Sequence, residues 1–310
     1  MNPSATHSTV PVLGIDWGTT NRRAYVFNHK GELIRQHSDA MGILAVKGNF
    51  EGSLRALLDK LELDEADVVM SGMVGSRNGW EEVPYLSVDR PILELPHAMR
   101  EIDSGMPGVR CRIVPGYSFV NRHGLPDVMR GEETQVLGAL RMGAEDDGWF
   151  VLPGTHSKWV AIEDGMITEL MTFMTGEMYS LLTRQGTLSN LMHEQIDAPV
   201  AFRAGMAAAR DGGFTHMAFA CRALVVTGAM PATHAASFLS GLLIGAELHE
   251  TSRRTHSGAG PDRPIVHVIG SETLAPKYQA ALEFCDMVPR LWQPDQVFGS
   301  AVRFLAGFDQ

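Results

Sequence analysis

The sequence predicts an α/β fold built by duplication, and three observations carry that reading. One short pattern occurs twice, about a domain length apart, at Val12–Phe27 and at Phe150–Ile162. After each copy the pattern passes from hairpins into alternating helix and strand. The chain has 310 residues, which is long for one hydrophobic core and natural for two.

The elements follow in order. Residues 10–34 read as a meander of three short strands, with a turn at Lys30-Gly31. Phe50, Leu54, Leu57, Leu58 and Leu61 recur at helical spacing. Val68-Val69-Met70 reads as a buried strand, ended by the loop Ser71–Arg77. Residues 79–127 are rich in Pro and Gly and read as irregular, with a strand near Arg112–Val114. From Gly131 the spacing of Val136, Leu137 and Leu140 is helical, and the second hairpin follows. Residues 176–250 read as mostly helical. Ser237–Leu248 forms a buried helix packed closely through Gly241 and Gly245. Thr251–Arg263 reads as a loop and Ile265–Ile269 as a strand. A helix at about 273–284, a strand at about 286–291 and a last helix from Pro294 complete the chain. The duplication places the boundary near residues 120–130.

Composition excludes several classes. The net charge is −10 and there is no basic run, which argues against a nucleic-acid or anionic-membrane surface. Cys111, Cys221 and Cys285 lie far apart, form no zinc spacing and suit a reducing compartment. Met1–Thr9 lacks an apolar signal core and reads as a loose tail, and no segment is long and apolar enough to span a bilayer. A cytoplasmic protein is expected.

The repeated pattern points to chemistry. Each copy is an apolar strand, a Gly-Thr-polar-polar-basic tip and a second apolar strand. The tips are Gly18-Thr19-Thr20-Asn21-Arg22 and Gly154-Thr155-His156-Ser157-Lys158. Such tips offer backbone N–H groups and hydroxyls to an anion, and two facing each other would clamp phosphates. One tight hairpin needs no ligand, but chance does not explain matched context twice. Asp16, at the end of its strand, is placed to hold magnesium. The second copy has Pro153 where a carboxylate would be. Neither GxxxxGK[ST] nor a strand–GxGxxG–helix is present. Gly270-Ser271 opens a helix after a strand and could receive adenosine or α-phosphate, although a plain helix cap explains it nearly as well. Glu132 and Glu133 open a helix and offer a carboxylate to take the proton of an attacking hydroxyl, although acidic residues favour any first helical turn. Arg22, Arg23, Arg77 and Lys158 could grip an anionic group, and His156 could be a base.

Together these segments resemble a known family. Asp-Trp-Gly-Thr-Thr-Asn at 16–21, Ser-Gly-Met-Val-Gly-Ser-Arg at 71–77, Pro-Asp-Val-Met-Arg-Gly-Glu-Glu-Thr-Gln at 126–135 and Pro-Gly-Thr-His-Ser-Lys-Trp-Val at 153–160 look like the 2-keto-3-deoxygalactonate kinases. Phe-Met-Thr-Gly-Glu at 173–177 and Leu-Ser-Gly-Leu-Leu-Ile-Gly-Ala-Glu at 239–247 are similar too. The resemblance places the chain in the actin, Hsp70 and sugar-kinase superfamily. It implies two ribonuclease-H-like (actin-like ATPase) domains, residues 1–124 and 125–310, with an interdomain cleft. The implied reaction is phosphorylation of 2-dehydro-3-deoxy-D-galactonate at its 6-hydroxyl by ATP with Mg2+, in galactonate breakdown.

The resemblance also implies roles. Asp16, Gly18, Thr19 and Thr20 form the first phosphate motif, with Asp16 as metal ligand. Gly154, Thr155, His156, Ser157 and Lys158 form the second, and Gly270-Ser271 the adenosine motif. Glu132 stands at the place of the catalytic base, as a glutamate where larger carbohydrate kinases have aspartate. Arg77 lies in the loop where related kinases place substrate-binding groups; apart from the resemblance, Arg22 and Glu133 are expected to bind substrate too. A homodimer is left open. The rival readings are another sugar or sugar-acid kinase of the superfamily and an actin-like nucleotide switch. No clustered-cysteine zinc motif and no appended peptide-binding domain support them.

Overall fold

In the computed structural model, residues 10–145, 147–258 and 263–309 are described. The tail expected at Met1–Thr9 lies outside them. The chain forms two compact units, Met1–Asp147 with Ile162–Leu170 and Gln293–Gln310, and Gly148–Ala161 with Met171–Trp292.

The first unit holds a six-stranded sheet of order β3-β2-β1-β4-β7-β6. Its strands are β1 (Val12–Trp17), β2 (Arg22–Phe27), β3 (Leu33–Asp39), β4 (Ala66–Gly72), β6 (Arg100–Ile102) and β7 (Val109–Ile113). The meander β1-β2-β3 is antiparallel, whereas β4 lies parallel to both β1 and β7. Strand alternation sends Leu13, Ile15 and Trp17 to one face. There they pack with Leu54, Leu57 and Leu58 of α2 (Phe50–Lys60), which follows the short helix α1 (Ile43–Val46). The opposite face carries Val12, Tyr25 and Phe27, which meet Phe298 and Val302 of the last helix, α11 (Pro294–Leu305). Helix α4 (Glu132–Arg141) lies against α11 closely enough that a β-carbon on Gly138 would stand 1.7 Å from the Val297 carbonyl oxygen.

The stretch 79–127 is more regular than its Pro and Gly content predicts. Besides β6 and β7 it contains the short helix α3 (Leu95–Ala98), and β5 (Leu86–Ser87) and β8 (Tyr117–Val120) form a small sheet with β9 (Pro126–Met129). Strands of two to five residues are too short to show periodicity.

The second sheet has the order β12-β11-β10-β13-β14. Its strands are β10 (Gly148–Leu152), β11 (Ser157–Glu163), β12 (Met166–Phe173), β13 (Ile265–Ile269) and β14 (Val288–Trp292). This repeats the order β3-β2-β1-β4-β7, with β13 again parallel to β10 and β14, so the duplication read from the hairpins is a duplication of sheet topology.

Between β12 and β13 lie α5 (Thr175–Arg184), α6 (Gly186–Ser189), α7 (Pro199–Asp211), α8 (Phe214–Val226) and α9 (Ala235–Gly258), with α10 (Ala275–Phe284) after β13. A β-carbon on Gly241 would stand 1.9 Å from the Phe202 carbonyl oxygen, so α9 and α7 touch through backbone as expected.

Two expectations are corrected. The segment from Thr251 is helical through Gly258, not a loop. Thr251 and Thr255 are buried and their hydroxyls bond back to carbonyls of the preceding turn, so burial overrides their polar composition. Residues 259–262 of the expected loop lie outside the described residues. The expected single boundary between 124 and 125 is also not what the units show. Helices α4 and α11 pack on each other and α11 packs on β1, so both group with the first unit.

Candidate active site

The first unit supplies a carboxylate cluster. Asp16 is the next-to-last residue of β1, opposite Arg23 on β2 and beside Ser71 on the parallel strand β4. Arg23 Nη1 donates to Asp16 Oδ2 at 3.4 Å, and a quarter of the Asp16 side chain is exposed. Burial raises the Asp16 pKa, Arg23 opposes the rise, and the nearby Asp295 carboxylate adds to it. Asp295 opens α11 and accepts a hydrogen bond from the Tyr25 hydroxyl at 2.7 Å.

The hairpin tip beside Asp16 is closed by its own backbone. Gly18 N–H donates to the Asn21 carbonyl at 2.9 Å. The N–H groups of Ile43 and Leu44 donate to the Gly18 and Thr19 carbonyls. Thr19 and Thr20 stay exposed, where an anion can meet them.

Two glycines bring α4 to this strand end. Gly72 has φ +94° and Gly131 φ +106°, values that side chains other than hydrogen rarely tolerate. A β-carbon on Gly131 would lie 3.1 Å from the Gly72 α-carbon, and one on Gly72 would lie 2.9 Å from the Trp17 carbonyl oxygen and 3.5 Å from Asp16 Oδ1. The start of α4 is thereby held beside Asp16. Glu132 Oε2 accepts from Arg130 N–H at 2.9 Å, and Glu132 is half-buried.

Glu133 is fully buried. Both its oxygens accept from Gly131 N–H, at 2.9 and 2.7 Å. The Thr134 hydroxyl donates to Glu133 at 3.2 Å and bonds Ser71 Oγ at 2.6 Å. Burial, with Glu132 alongside, pushes the Glu133 pKa up to about 7 against the pull of the backbone bonds and Arg130. The expectation that Glu133 binds substrate is corrected: its carboxylate is spent on the turn that presents Glu132.

Arg22 is corrected as well. It is only 4% exposed. Its guanidinium bonds Asp39 at 3.2 and 2.7 Å and both the carbonyl and hydroxyl of Ser53. The pleat turns Arg22 into the core and Arg23 outward, and composition at a tip cannot say which. Arg77 is exposed on the turn after β4.

The second unit supplies the other tip. Thr155 and His156 are exposed, and His156 Nε2 lies 2.6 Å from Glu177 Oε2. Glu177 N–H donates to the Thr155 carbonyl at 2.9 Å. A β-carbon on Gly176 would lie 2.2 Å from the Gly154 carbonyl oxygen, so α5 starts against the tip.

Ser157 and Lys158 are corrected as phosphate ligands. Both already belong to β11 and are buried. Ser157 Oγ donates to Glu247 at 2.7 Å and Lys158 Nζ to Thr172 at 2.7 Å. Gly270 is buried within 3.5 Å of Pro153, measured from where its β-carbon would stand, and Ser271 is exposed. The Ser271 carbonyl accepts from Leu274 and Ala275 N–H groups. The structure thus sets the expected adenosine motif beside the second hairpin.

Sequence reasoning missed Tyr25, Asp295, Glu177 and Glu247. Glu177 and Glu247 stood inside quoted motifs, so a signal existed. Nothing local marks Asp295, which is 270 residues from its partner Tyr25.

Comparison with known proteins identifies the family. The family model described as 2-keto-3-deoxy-galactonokinase matches residues 16–304. The 2-dehydro-3-deoxygalactonokinase of Escherichia coli (strain K12) is 31% identical over 303 residues, covering 96% of this chain and 98% of that one. A Rhizobium meliloti (strain 1021) protein, provisionally named for the same enzyme, is 32% identical over 286 residues, covering 87% and 88%. A crystal structure of a Sinorhizobium meliloti protein, also provisionally so named, superposes with a TM-score of 0.85 at 29% identity, over 95% of each chain. The fold shared with that structure is an α/β duplication of one sheet topology.

Proposed function

The chain belongs to the 2-keto-3-deoxy-galactonokinase family, and from that premise we propose that it transfers the terminal phosphoryl group of ATP to the 6-hydroxyl of 2-dehydro-3-deoxy-D-galactonate. The products are 2-dehydro-3-deoxy-6-phosphogalactonate and ADP. The observation that carries the residue roles is the approach of Gly131 to Gly72, which sets Glu132 beside the strand end bearing Asp16.

Phosphoryl transfer asks the protein for positioning and charge compensation. Gly18 shapes the first tip, its own N–H held by the Asn21 carbonyl, and Thr19 and Thr20 bind phosphate through backbone N–H groups and hydroxyls. Gly154, Thr155 and His156 do the same on the second hairpin, and Gly270-Ser271 receive the adenosine. Glu132, half-buried and held by the Arg130 amide, accepts the proton of the 6-hydroxyl. Arg77 pairs with the substrate carboxylate.

The residues present fit a divalent cation. Burial and the nearby Asp295 carboxylate raise the cost of ionising Asp16, and a cation beside it relieves that cost. Bound there, Mg2+ neutralises the phosphate oxygens. The family's ATP-dependent metabolic chemistry supports a cytoplasmic location, and no helix among the described residues is long and apolar enough to cross a membrane. Phe219 and Val226, exposed on α8, support a homodimer, tested by sedimentation.

The test is a panel of keto-deoxy sugar acids and neutral sugars, each with ATP and Mg2+, followed by ADP release. Turnover is expected with the galactonate-derived acid above all others. Turnover with a neutral sugar alone, or ATP hydrolysis that no sugar acid stimulates, overturns the reading.

A further inference from the structure

We infer that Glu247 is the positioning residue of the second phosphate hairpin, acting through a buried four-donor clamp. The inference rests on the kinase reading and assigns a residue that never touches ATP.

Glu247 lies on α9 and is 2% exposed. Four side chains from three other elements converge on its carboxylate. Ser157 Oγ and Trp159 Nε1 of β11 donate to Oε1 at 2.7 and 2.6 Å. The Tyr278 hydroxyl of α10 donates to Oε2 at 2.9 Å, and the Thr175 hydroxyl, opening α5, donates to the same oxygen. Tyr278 also reaches Ser157 Oγ at 3.2 Å.

A buried carboxylate is costly, and hydrogen bonds to the charged form repay that cost only when all are made. The bonds fix two things about the tip. Ser157 is the first residue of β11 after the exposed Thr155 and His156, so its bond sets where the tip ends. Thr175 stands beside Gly176, whose backbone presses on Gly154, and two residues before Glu177, whose amide holds the Thr155 carbonyl. Glu247 therefore holds both neighbours of the tip at once. A phosphate site made of backbone N–H groups has no affinity beyond the geometry of that backbone.

An acceptor-only carboxylate can serve four donors, whereas an amide cannot. Glu247→Gln aims an NH2 at two of them. The expected result is an affinity for a non-hydrolysable ATP analogue reduced about tenfold or more, equivalent to about 1.4 kcal/mol. The KM for the sugar acid should stay within about twofold, and the analogue should lose its protection against thermal unfolding. Thr175→Val should weaken analogue binding more than Tyr278→Phe, because only Thr175 sits beside the tip. A merely structural role would lower the melting temperature and leave analogue affinity intact, and that outcome overturns the inference. Equal losses for ATP and sugar acid overturn it too. If Glu247→Gln does not fold, Thr175→Val decides: unchanged analogue affinity sinks the clamp. Analogue binding needs no turnover, so the result stands apart from the identity of the sugar acid, which the substrate panel decides.

Discussion

The α-carbons of Gly72 and Gly131 approach so closely that a single added β-carbon on Gly131 would stand 3.1 Å from Gly72. One glycine ends the central strand β4 and the other starts α4. Both hold positive φ, so their contact brings the start of α4, which carries Glu132, to the end of β4 that lies beside Asp16. The proposed chemistry depends on this contact.

Gly131→Ala tests it. Alanine at φ +106° is strained by roughly 1–3 kcal/mol and pushes the two segments apart. Turnover should fall much more than ATP affinity. A variant with wild-type turnover and a normal melting temperature would show that the approach is dispensable.

Glu132→Gln removes the proposed base while keeping shape. A general base contributes typically about 10²–10⁴-fold, so kcat should drop by that order with the KM for ATP little changed. Turnover within a few-fold of wild type would move the role to another group, such as His156.

Glu133 makes a prediction about stability rather than rate. Its pKa in the folded chain is about 7, above the ordinary value of 4.5. Between those pH values the folded form keeps a proton that the unfolded chain gives up. Stability therefore falls as pH rises from about 4.5 to about 7. Glu133→Gln lacks this contribution, so in urea unfolding the wild type should lose stability relative to the variant across that window. Parallel pH profiles would contradict the assignment.

Asp16→Asn should separate function from stability. Burial and Asp295 raise the pKa of Asp16, so its ionised form costs stability at neutral pH, and asparagine removes that cost. The variant should melt at a higher temperature, turn over more slowly and need more Mg2+ for half-maximal rate. A lower melting temperature with an unchanged Mg2+ requirement would contradict both the electrostatic account and the metal role.

The strand and helix order was legible because the hairpins repeat and the helices are periodic. The place of Asp16 late in a strand, of Gly18 in a tight tip and of Glu132-Glu133 at a helix start was legible from local pattern. The facing of side chains was not. Arg22 and Arg23 are adjacent and look alike, yet the pleat buries one against Asp39 and exposes the other. Ser157 and Lys158 read as tip residues, but β11 begins at Ser157 and draws both inward. Nothing local marks the pairing of Tyr25 with Asp295, and although Glu247 and Ser157 each lie in a recognisable motif, neither motif names the other as its partner, so only the packed fold brings them together.

The position of the transferred phosphate tests the central claim most directly. After incubation with ATP, Mg2+ and 2-dehydro-3-deoxy-D-galactonate, phosphorus–proton coupling in the product's NMR spectrum should place the phosphate on carbon 6, with ADP in equal amount. Phosphate on another carbon, or ADP without a phosphorylated sugar acid, would contradict the account.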